Sequence, residues 1–350
     1  SEQFITLPPW SLRHKTDGTI QKDLDDGIDT IGKKMTVCQL YAKQIRHRGN
    51  VRYNTKNGRK RPMKLLEEDK LGGCPIDSVK LSDAKEWAIR MKEKGISYKT
   101  ISNDKRSLKA AFYTAIQDDC IRKNPFDFQL NTVIEDDTEP KVPLTPAQEE
   151  SFLSFAQNDK VYQKYYDELI ILLGTGLRIS ELCGLTDTDI DFENRIINVD
   201  HQLLRSAETG YYIETPKTKS GIRQIPMSEK VYEAFNRVLK RRRGAKAVTI
   251  DGYSNFLFLN RDGYPKTATN YDGMFRGLAK KYNKYHEEAL PKVMTPHTLR
   301  HTFCTNMANA GMNPKALQYI MGHSNITMTL NYYAHATFDS AKAEMLRIAA

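Results

Sequence analysis

The chain has 350 residues, of which 39% are hydrophobic, and its 53 Lys and Arg against 43 Asp and Glu give a formal net charge of +10. This length allows two or three domains, and the hydrophobic share excludes an intrinsically disordered protein. The five cysteines lie far apart without CxxC pairs, so we expect neither a disulfide framework nor a zinc knuckle, and a reducing cytoplasm fits best. The sequence contains neither an apolar run of membrane-spanning length nor a signal peptide.

The first half of the chain has the pattern of a helical domain. Residues 1–34 show little periodicity and predict only a short helix around 19–26, and because the chain begins with Ser1 we expect an upstream module to be missing. From 35 to 131, apolar residues recur at intervals of three and four. The helices predicted there cover 37–45, 76–94 and 98–118. Residues 132–144 are acidic and contain prolines, which predicts a linker before a second domain at 145–350.

Two groups of basic residues in the helical domain suit contacts with a phosphate backbone. The first group lies between the first two predicted helices and is interleaved with Tyr53 and Asn54, and the second lies on the third helix. One such run is usually a solvated loop, but two in one domain favour a surface that faces DNA. The predicted DNA-binding residues are Arg52, Lys56, Arg59, Lys60, Arg61, Lys64, Lys99, Lys105, Arg106 and Lys109.

The second half opens with helical patterns and then changes period. A glycine turn at 174–176 precedes Arg178, whose simplest interpretation is a structural ion pair with Glu181 at a helix start. Short segments rich in Ile, Val and Tyr follow, at 195–199, 211–214 and 222–225. They predict a small antiparallel sheet, with 217–221 as a hairpin tip carrying two lysines outward. The fold class is therefore mainly α with a small antiparallel β-sheet, a helical domain preceding a mixed α+β domain.

A polar helix face is predicted after residue 295. Thr295 and Pro296 suit an N-cap and a first helical position, so His297, Arg300 and His301 share one face. Two histidines and an arginine on one face can converge on an anion.

The segment after this helix reads as two further short helices. Gly311 ends the first helix, 314–321 forms the second, and Gly322 caps it, which leaves His323 at a loop mouth. A third short helix is predicted to carry Tyr332 and Tyr333.

These motifs together resemble those of the tyrosine recombinases, also called lambda-type integrases, and within them the integrases of conjugative transposons of Gram-positive bacteria. The matching pieces are Thr-Gly-Leu-Arg-Ile-Ser-Glu-Leu at 175–182, the lysines at 217–221, His-Thr-Leu-Arg-His at 297–301 and Gly-His-Ser-Asn at 322–325 before the tyrosines. The first half is similar to the core-binding domain of these integrases. The missing upstream part would be their arm-binding domain.

The resemblance implies a catalytic set that cleaves DNA by transesterification. Arg178 and Arg300 would grip the non-bridging phosphate oxygens, and His297 and His323 would donate hydrogen bonds or assist proton transfer. Lys219, preferred to Lys217, would act as general acid for the leaving 5′ oxygen. The nucleophile is expected at Tyr333, because Tyr-Ala-His resembles a common family ending, with Tyr332 as the alternate register. His301 is interpreted as structural.

The implied partners are double-stranded DNA at transposon ends, at a target or at circular-intermediate junctions, and further copies of the chain, as a dimer on one site and a tetramer at synapsis. An excision factor is a further expected partner, and no membrane, cofactor or ATP is expected. Zinc on His297 and His301 is a poor alternative, because Thr298 stands where the H-E-x-x-H motif has Glu. The alternative functions are a type IB topoisomerase and a non-catalytic DNA-binding regulator.

Overall fold

The structure, a computed structural model, describes residues 32–49, 51–139, 142–216, 218–242, 248–333 and 345–346. The chain divides into two compact units, Ser1–Glu139 and Pro140–Ala350. Both contain helices, and the second adds two small antiparallel sheets, which confirms the predicted fold class. The predicted helix around 19–26 and Lys217 lie outside the described residues. Among the residues described, no helix combines the length and the apolar character needed to cross a membrane.

Among its described residues the first unit contains five α-helices. They are α1 Val37–His47, α2 Tyr53–Gly58, α3 Lys60–Glu67, α4 Leu81–Glu93 and α5 Tyr98–Gln117. Its buried core includes Trp87 on α4 and Phe112 on α5, and both rings contact Phe126, at centroid distances of 5.7 and 5.4 Å. The predicted helix over 76–94 begins only at Leu81. The basic residues predicted between helices lie mostly on α2 and α3, so that segment is helical.

The predicted linker is divided between the two units. Ile134 is buried in the core of the first unit, and Asp137 accepts a hydrogen bond from the ammonium of Lys92 at 2.5 Å. Leu144 is buried in the core of the second unit, where its backbone N–H donates to Thr302 Oγ1 at 2.9 Å. The boundary between the units falls after Glu139.

The second unit contains eight α-helices among its described residues. They are α6 Pro146–Asn158, α7 Tyr166–Thr175, α8 Ile179–Gly184, α9 Glu229–Arg242, α10 Ala268–Tyr285, α11 Pro296–Asn309, α12 Pro314–Met321 and α13 Thr327–Leu330. Helix α7 is almost wholly apolar after its first turn, and it packs against α9 and α11 at the centre of this unit. The local signals at the chain's end are confirmed, because Thr295 caps α11 and Gly322 ends α12 in a left-handed conformation. Tyr332 and Tyr333, however, lie just after α13 rather than on it.

The strands form two separate ladders. They are β1 Ile190–Asp191, β2 Ile196–Val199, β3 Gln202–Ser206, β4 Gly210–Glu214 and β5 Arg223–Pro226. The order in one sheet is β1-β2-β5, with Ile197 opposite Ile225, and among the described strands β3 pairs only with β4. The predicted hairpin tip at 217–221 is therefore wrong, because β4 and β5 belong to different sheets. This stretch is instead a crossing connection that contains a 3₁₀ turn, Lys219–Gly221.

Candidate active site

Arg178 is fixed by a carboxylate one turn further along the chain. It is the N-cap residue of α8, and its Nη1 donates to Glu181 Oε1 at 2.7 Å while its backbone N–H donates to Oε2 at 2.9 Å. Its Nη2 donates to the carbonyl of Gly322 at 2.9 Å. The predicted ion pair is present, and it leaves the Arg178 side chain 37% exposed. The guanidinium group is therefore oriented and still accessible to a ligand.

Arg300 is buried and held by backbone carbonyls. Its Nη1 donates to Gly176 O at 2.5 Å and its Nη2 donates to Met321 O. Gly176 ends α7 at φ 63°, and a Cβ there would lie 2.4 Å from a ring carbon of Phe303, so only glycine suits this turn. Burial, with the nearby charge of Arg178, lowers the pKa of Arg300 to about 9, which still leaves a cation at neutral pH.

The two arginines are placed side by side by the last residues of α12. Arg300 bonds to the carbonyl of Met321, and Arg178 bonds to the carbonyl of the next residue, Gly322. Two guanidinium groups on successive carbonyls present donors to one small volume. The structure therefore holds Arg178 and Arg300 close together, and their joint binding of one phosphate stays a prediction.

Arg223 contributes a third guanidinium to this site, a buried one, and the sequence analysis missed it. Its Nη2 and Nη1 donate to Glu181 Oε2 and Oε1 at 2.9 and 3.1 Å, its Nε donates to Ile320 O at 2.6 Å, and its Nη1 donates to Gly221 O at 3.0 Å. It ties together α8, the 3₁₀ turn and α12. The signal for it was its inward position on β5, in alternation with buried Ile225.

The buried carboxylate of Glu181 interacts with all three guanidinium groups. Burial raises the pKa of Glu181, but hydrogen bonds from Arg223, and then the charges of Arg223, Arg178 and Arg300, outweigh it and hold the pKa at about 2. Three guanidinium groups around one carboxylate leave an excess of positive charge. Such a site is prepared for an anion.

His323 lies at the loop mouth after α12, as the sequence predicted. It is 6% exposed, and its Nδ1 is 3.0 Å from Thr329 Oγ1. Burial, and then the charges of Arg300 and Arg178, lower the pKa of His323 to about 4. The imidazole is therefore neutral near pH 7. If the Thr329 hydroxyl donates to Nδ1, the proton of His323 sits on Nε2 and is available to an oxygen ligand.

A cavity of about 380 Å³ opens beside these groups. Its lining includes Arg178, Glu181 and His323 from one side and Thr218 and Gly221 from the 3₁₀ connection. Lys219 belongs to the same connection, and its side chain is exposed. The lysine therefore lies next to the cavity wall, on a segment that also contacts Arg223.

The two histidines of α11, His297 and His301, lie close to each other, and His301 contacts one of the two tyrosines. His297 is exposed in the first turn of α11, and its ring meets that of His301 edge to face at 4.7 Å. His301 Nδ1 is 2.5 Å from the phenolic oxygen of Tyr332. Tyr333 instead donates its hydroxyl proton to Met312 O at 2.5 Å. The structure thus places Tyr332 in the histidine and arginine cluster and directs the preferred candidate, Tyr333, towards the loop that follows α11.

A possible metal group within the described part of the chain is engaged in other contacts. The ligand atoms of Asp189, Asp200 and His201 lie within 4.8 Å of one another. His201 Nε2, however, is 2.7 Å from Gly184 O, and Nδ1 is 2.6 Å from Asp200 Oδ1. Asp189 accepts from the backbone and hydroxyl of Thr186 at 2.7 Å. These contacts account for the cluster as a structural junction at the end of α8.

The first unit presents most of its predicted DNA-binding residues on exposed helix surface. Lys56, Lys60, Lys64, Lys99 and Arg106 are exposed. Arg61, Lys105 and Lys109 are held by neighbouring groups.

Arg61, Lys105 and Lys109 of the predicted DNA-binding set form hydrogen bonds inside the first unit. Arg61 Nη2 donates to both carboxylate oxygens of Asp104, at 2.7 and 2.9 Å, and Lys109 pairs with Asp127 at 2.5 Å. Lys105 is buried, with its ammonium donating to Phe128 O at 2.6 Å. The prediction of Lys105 as a surface contact is wrong, because that ammonium faces inward.

Comparison with known proteins places this geometry in a family. The phage integrase family model matches residues 143–340, which include every predicted catalytic residue. The transposase of transposon Tn916 from Enterococcus faecalis is 68% identical over 338 residues, covering 97% of this chain and 83% of that protein. The transposase of Tn1545 from Streptococcus pneumoniae has the same identity and coverage.

Solved structures agree with this assignment. The Tn1549 transposon integrase in complex with transposon right end DNA has a TM-score of 0.86 and 78% identity, covering 90% of this chain and all of that one. The same integrase in complex with a circular intermediate DNA has the same TM-score and identity. A lambda integrase dimer on a core site, 15% identical with a TM-score of 0.61, shares the fold. With more than half of its length matched by the family model, this chain belongs to the phage integrase family of tyrosine recombinases.

Proposed function

We propose that this integrase excises and inserts a conjugative transposon by cutting double-stranded DNA through a covalent 3′-phosphotyrosine. The observation that carries the proposal is the pair Arg178 and Arg300 on the successive carbonyls of Gly322 and Met321. The similarity to the Tn916 and Tn1545 transposases, and to an integrase solved on transposon end and circular intermediate DNA, supports these substrates. That similarity favours strand exchange over relaxation by a topoisomerase.

In this mechanism the arginines stabilise the pentacoordinate phosphate. The exposed face of Arg178 and the buried Arg300 bind the non-bridging oxygens, and neutral His323 donates through Nε2. His297, in the first turn of α11, is placed to donate to the same oxygens. Lys219 gives its proton to the leaving 5′ oxygen, for which its exposed position beside the cavity is suited. The guanidinium groups supply the charge that metal ions supply in other phosphoryl transfer enzymes.

We propose Tyr332 as the nucleophile in place of Tyr333. Its hydroxyl contacts His301 on the helix that carries Arg300, and the charge of Arg300 acts on it, whereas the Tyr333 hydroxyl is occupied by Met312 O. The Tn1549 integrase was solved with an arginine-to-lysine substitution and with a tyrosine-to-phenylalanine substitution. Those two positions are separated by as many residues as Arg178 and Tyr332, and Tyr333 is one position further.

The DNA surface of the first unit is proposed to use Arg52, Lys56, Arg59, Lys60, Lys64, Lys99 and Arg106, with Arg61 and Lys109 reaching phosphates by exchanging partners. Exchange between two duplexes requires four strand cleavages, so four tyrosines are needed. We therefore propose a dimer on each site and a tetramer at synapsis, with an excision factor as a further partner. The free thiols of the described cysteines fit a bacterial cytoplasm.

The test is a nicked suicide substrate carrying a transposon end, incubated with the protein and EDTA and resolved by denaturing electrophoresis. We expect a covalent adduct with the wild-type chain and with Tyr333→Phe, and none with Tyr332→Phe. A requirement for a divalent metal would contradict the arginine mechanism. An adduct that survives Tyr332→Phe and disappears with Tyr333→Phe would restore the other register.

A further inference from the structure

His301 has no role in the mechanism above, yet it makes the closest polar contact to the proposed nucleophile. Its Nδ1 lies 2.5 Å from Tyr332 Oη, with the ring centroids 5.4 Å apart. His301 follows Arg300 directly on α11, and Arg300 is anchored to two carbonyls, so the imidazole is fixed relative to the phosphate-binding groups. The contact therefore joins the attacking atom to the rigid part of the site.

Tyr332 needs a proton acceptor. Burial, and then the thiol of Cys304, raise the pKa of its phenol to about 12, although the charge of Arg300 acts in the opposite direction. A phenol that holds its proton this firmly is a poor nucleophile at neutral pH. Attack on phosphorus therefore requires that the proton leave as the new bond forms.

Among the described residues, Arg300, Cys304 and His323 do not offer the phenol an acceptor at this distance. Arg300 carries donors only, and burial raises the pKa of the Cys304 thiol to about 12, which keeps it protonated. His323 directs its Nδ1 to Thr329. With the phenol as the donor in the contact with His301, the imidazole accepts at Nδ1 and carries its own proton on Nε2.

We propose that His301 is a catalytic residue, the general base that takes the Tyr332 proton during strand cleavage and returns it during rejoining. This inference rests on the proposed function, with Tyr332 as nucleophile. In cleavage the Oη–H bond breaks, Nδ1–H and Oη–P bonds form, and the P–O5′ bond breaks with a proton supplied by Lys219. In rejoining the 5′ hydroxyl gives that proton back to Lys219 and attacks phosphorus, and Oη leaves with the proton from His301.

The experiment measures the single-turnover rate of adduct formation by the full chain on the nicked substrate. His301→Asn keeps an oxygen acceptor near the position of Nδ1 but cannot take up a proton. We expect the rate to fall by about 100-fold or more with DNA binding unchanged, the usual scale of general base catalysis. His286→Asn is the matched control, since that half-buried imidazole stacks on Tyr282 at 3.8 Å in the same unit, and we expect it to retain the rate.

A second arm separates catalysis from packing. A fluorinated tyrosine, whose phenol is more acidic, is incorporated at position 332 of the wild-type and His301→Asn chains. If His301 is the base, the more acidic phenol restores most of the rate lost in His301→Asn. A variant that cleaves at the wild-type rate, or a loss that fluorination does not restore, would overturn the proposal.

Two further controls keep the result interpretable. If His301→Asn does not fold, judged by its thermal unfolding, His301→Gln is tested in its place by the same criteria. Adduct formation by Tyr332→Phe would instead show that Tyr332 is not the nucleophile. That failure of the proposed function is distinct from a failure of the base.

Discussion

Replacing Arg223 with Met should destabilise the second unit and impair cleavage together. The substitution keeps much of the side chain's length and removes four hydrogen bonds, two of them to Glu181 and one each to Ile320 O and Gly221 O. Glu181 is 3% exposed, and of the residues that the structure describes only Arg178 would remain hydrogen-bonded to it. The negative charge of a buried carboxylate would then have lost half of the hydrogen bonds that stabilise it.

The size of the effect follows from that carboxylate. The fall of the Glu181 pKa from 4.5 to about 2 corresponds to about 3 kcal/mol of stabilisation of its charged form. Breaking one buried pair typically costs about 3 to 5 kcal/mol. We therefore expect Arg223→Met to lower the unfolding free energy by about 3 to 5 kcal/mol. Removing both charges, with Glu181→Met as well, should cost less than the sum of the single losses.

The assay is denaturant unfolding of the full chain, followed alongside adduct formation on the nicked substrate. Arg195→Met is the control, because Arg195 pairs with Glu229 at the surface, where both side chains are about half exposed and such a pair contributes little to stability. A loss below about 1 kcal/mol for Arg223→Met, together with unchanged cleavage, would refute the argument that Arg223 organises the site.

Three more outcomes are expected. The pKa of His323 in the folded chain is about 4, below its ordinary 6.5, so the unfolded chain binds more protons between these two pH values. The free energy of unfolding should therefore fall by up to about 3 kcal/mol as the pH drops from 6.5 to 4. His323→Gln should reduce this pH dependence of the melting temperature. Replacing Arg59 and Lys60 with Ala should reduce the salt slope of DNA binding by roughly one unit per lost phosphate contact; an unchanged slope in a titration would return them to a solvated surface. Deleting residues 340–350 should weaken cooperative assembly on paired sites in gel shifts while single-site binding persists, whereas a lower melting temperature with assembly intact would assign the tail to its own unit.

That last prediction concerns a segment largely outside the described residues. Its basis is the sequence spacing of Ala341, Met345 and Ile348, which predicts that they share one face of a helix. Met345 and Leu346 are described, and both are exposed, at 70% and 64%. An exposed apolar pair is compatible with docking on a second copy of the chain.

Local chemistry made much of the site predictable. The capping of α11 by Thr295, the end of α12 at Gly322 and the pair of Arg178 with Glu181 all depend on residues within a few positions of one another. Such signals can be seen in a sequence because the interacting groups are neighbours along the chain. The positions of Arg300 and His323 follow from them.

What the sequence did not reveal depends on contacts between distant segments. Strand β5 pairs with β2 rather than with β4, and local sequence does not specify which strand is the partner. For this reason Lys219 lies in a crossing connection and not at the predicted hairpin tip. Arg223 gained its role from Glu181, 42 positions away. The proposal of Tyr332 over Tyr333 rests on the contact of its phenol with His301, 31 positions away.

The measurement that tests the central claim most directly is identification of the residue bound to DNA. The adduct from the nicked substrate, formed by the wild-type chain in EDTA, is digested with nuclease and protease and sequenced by tandem mass spectrometry. We predict a nucleotide joined through its 3′ phosphate to Tyr332. Modification of Tyr333 would contradict the assignment of the nucleophile, and the absence of any tyrosine adduct would contradict the mechanism.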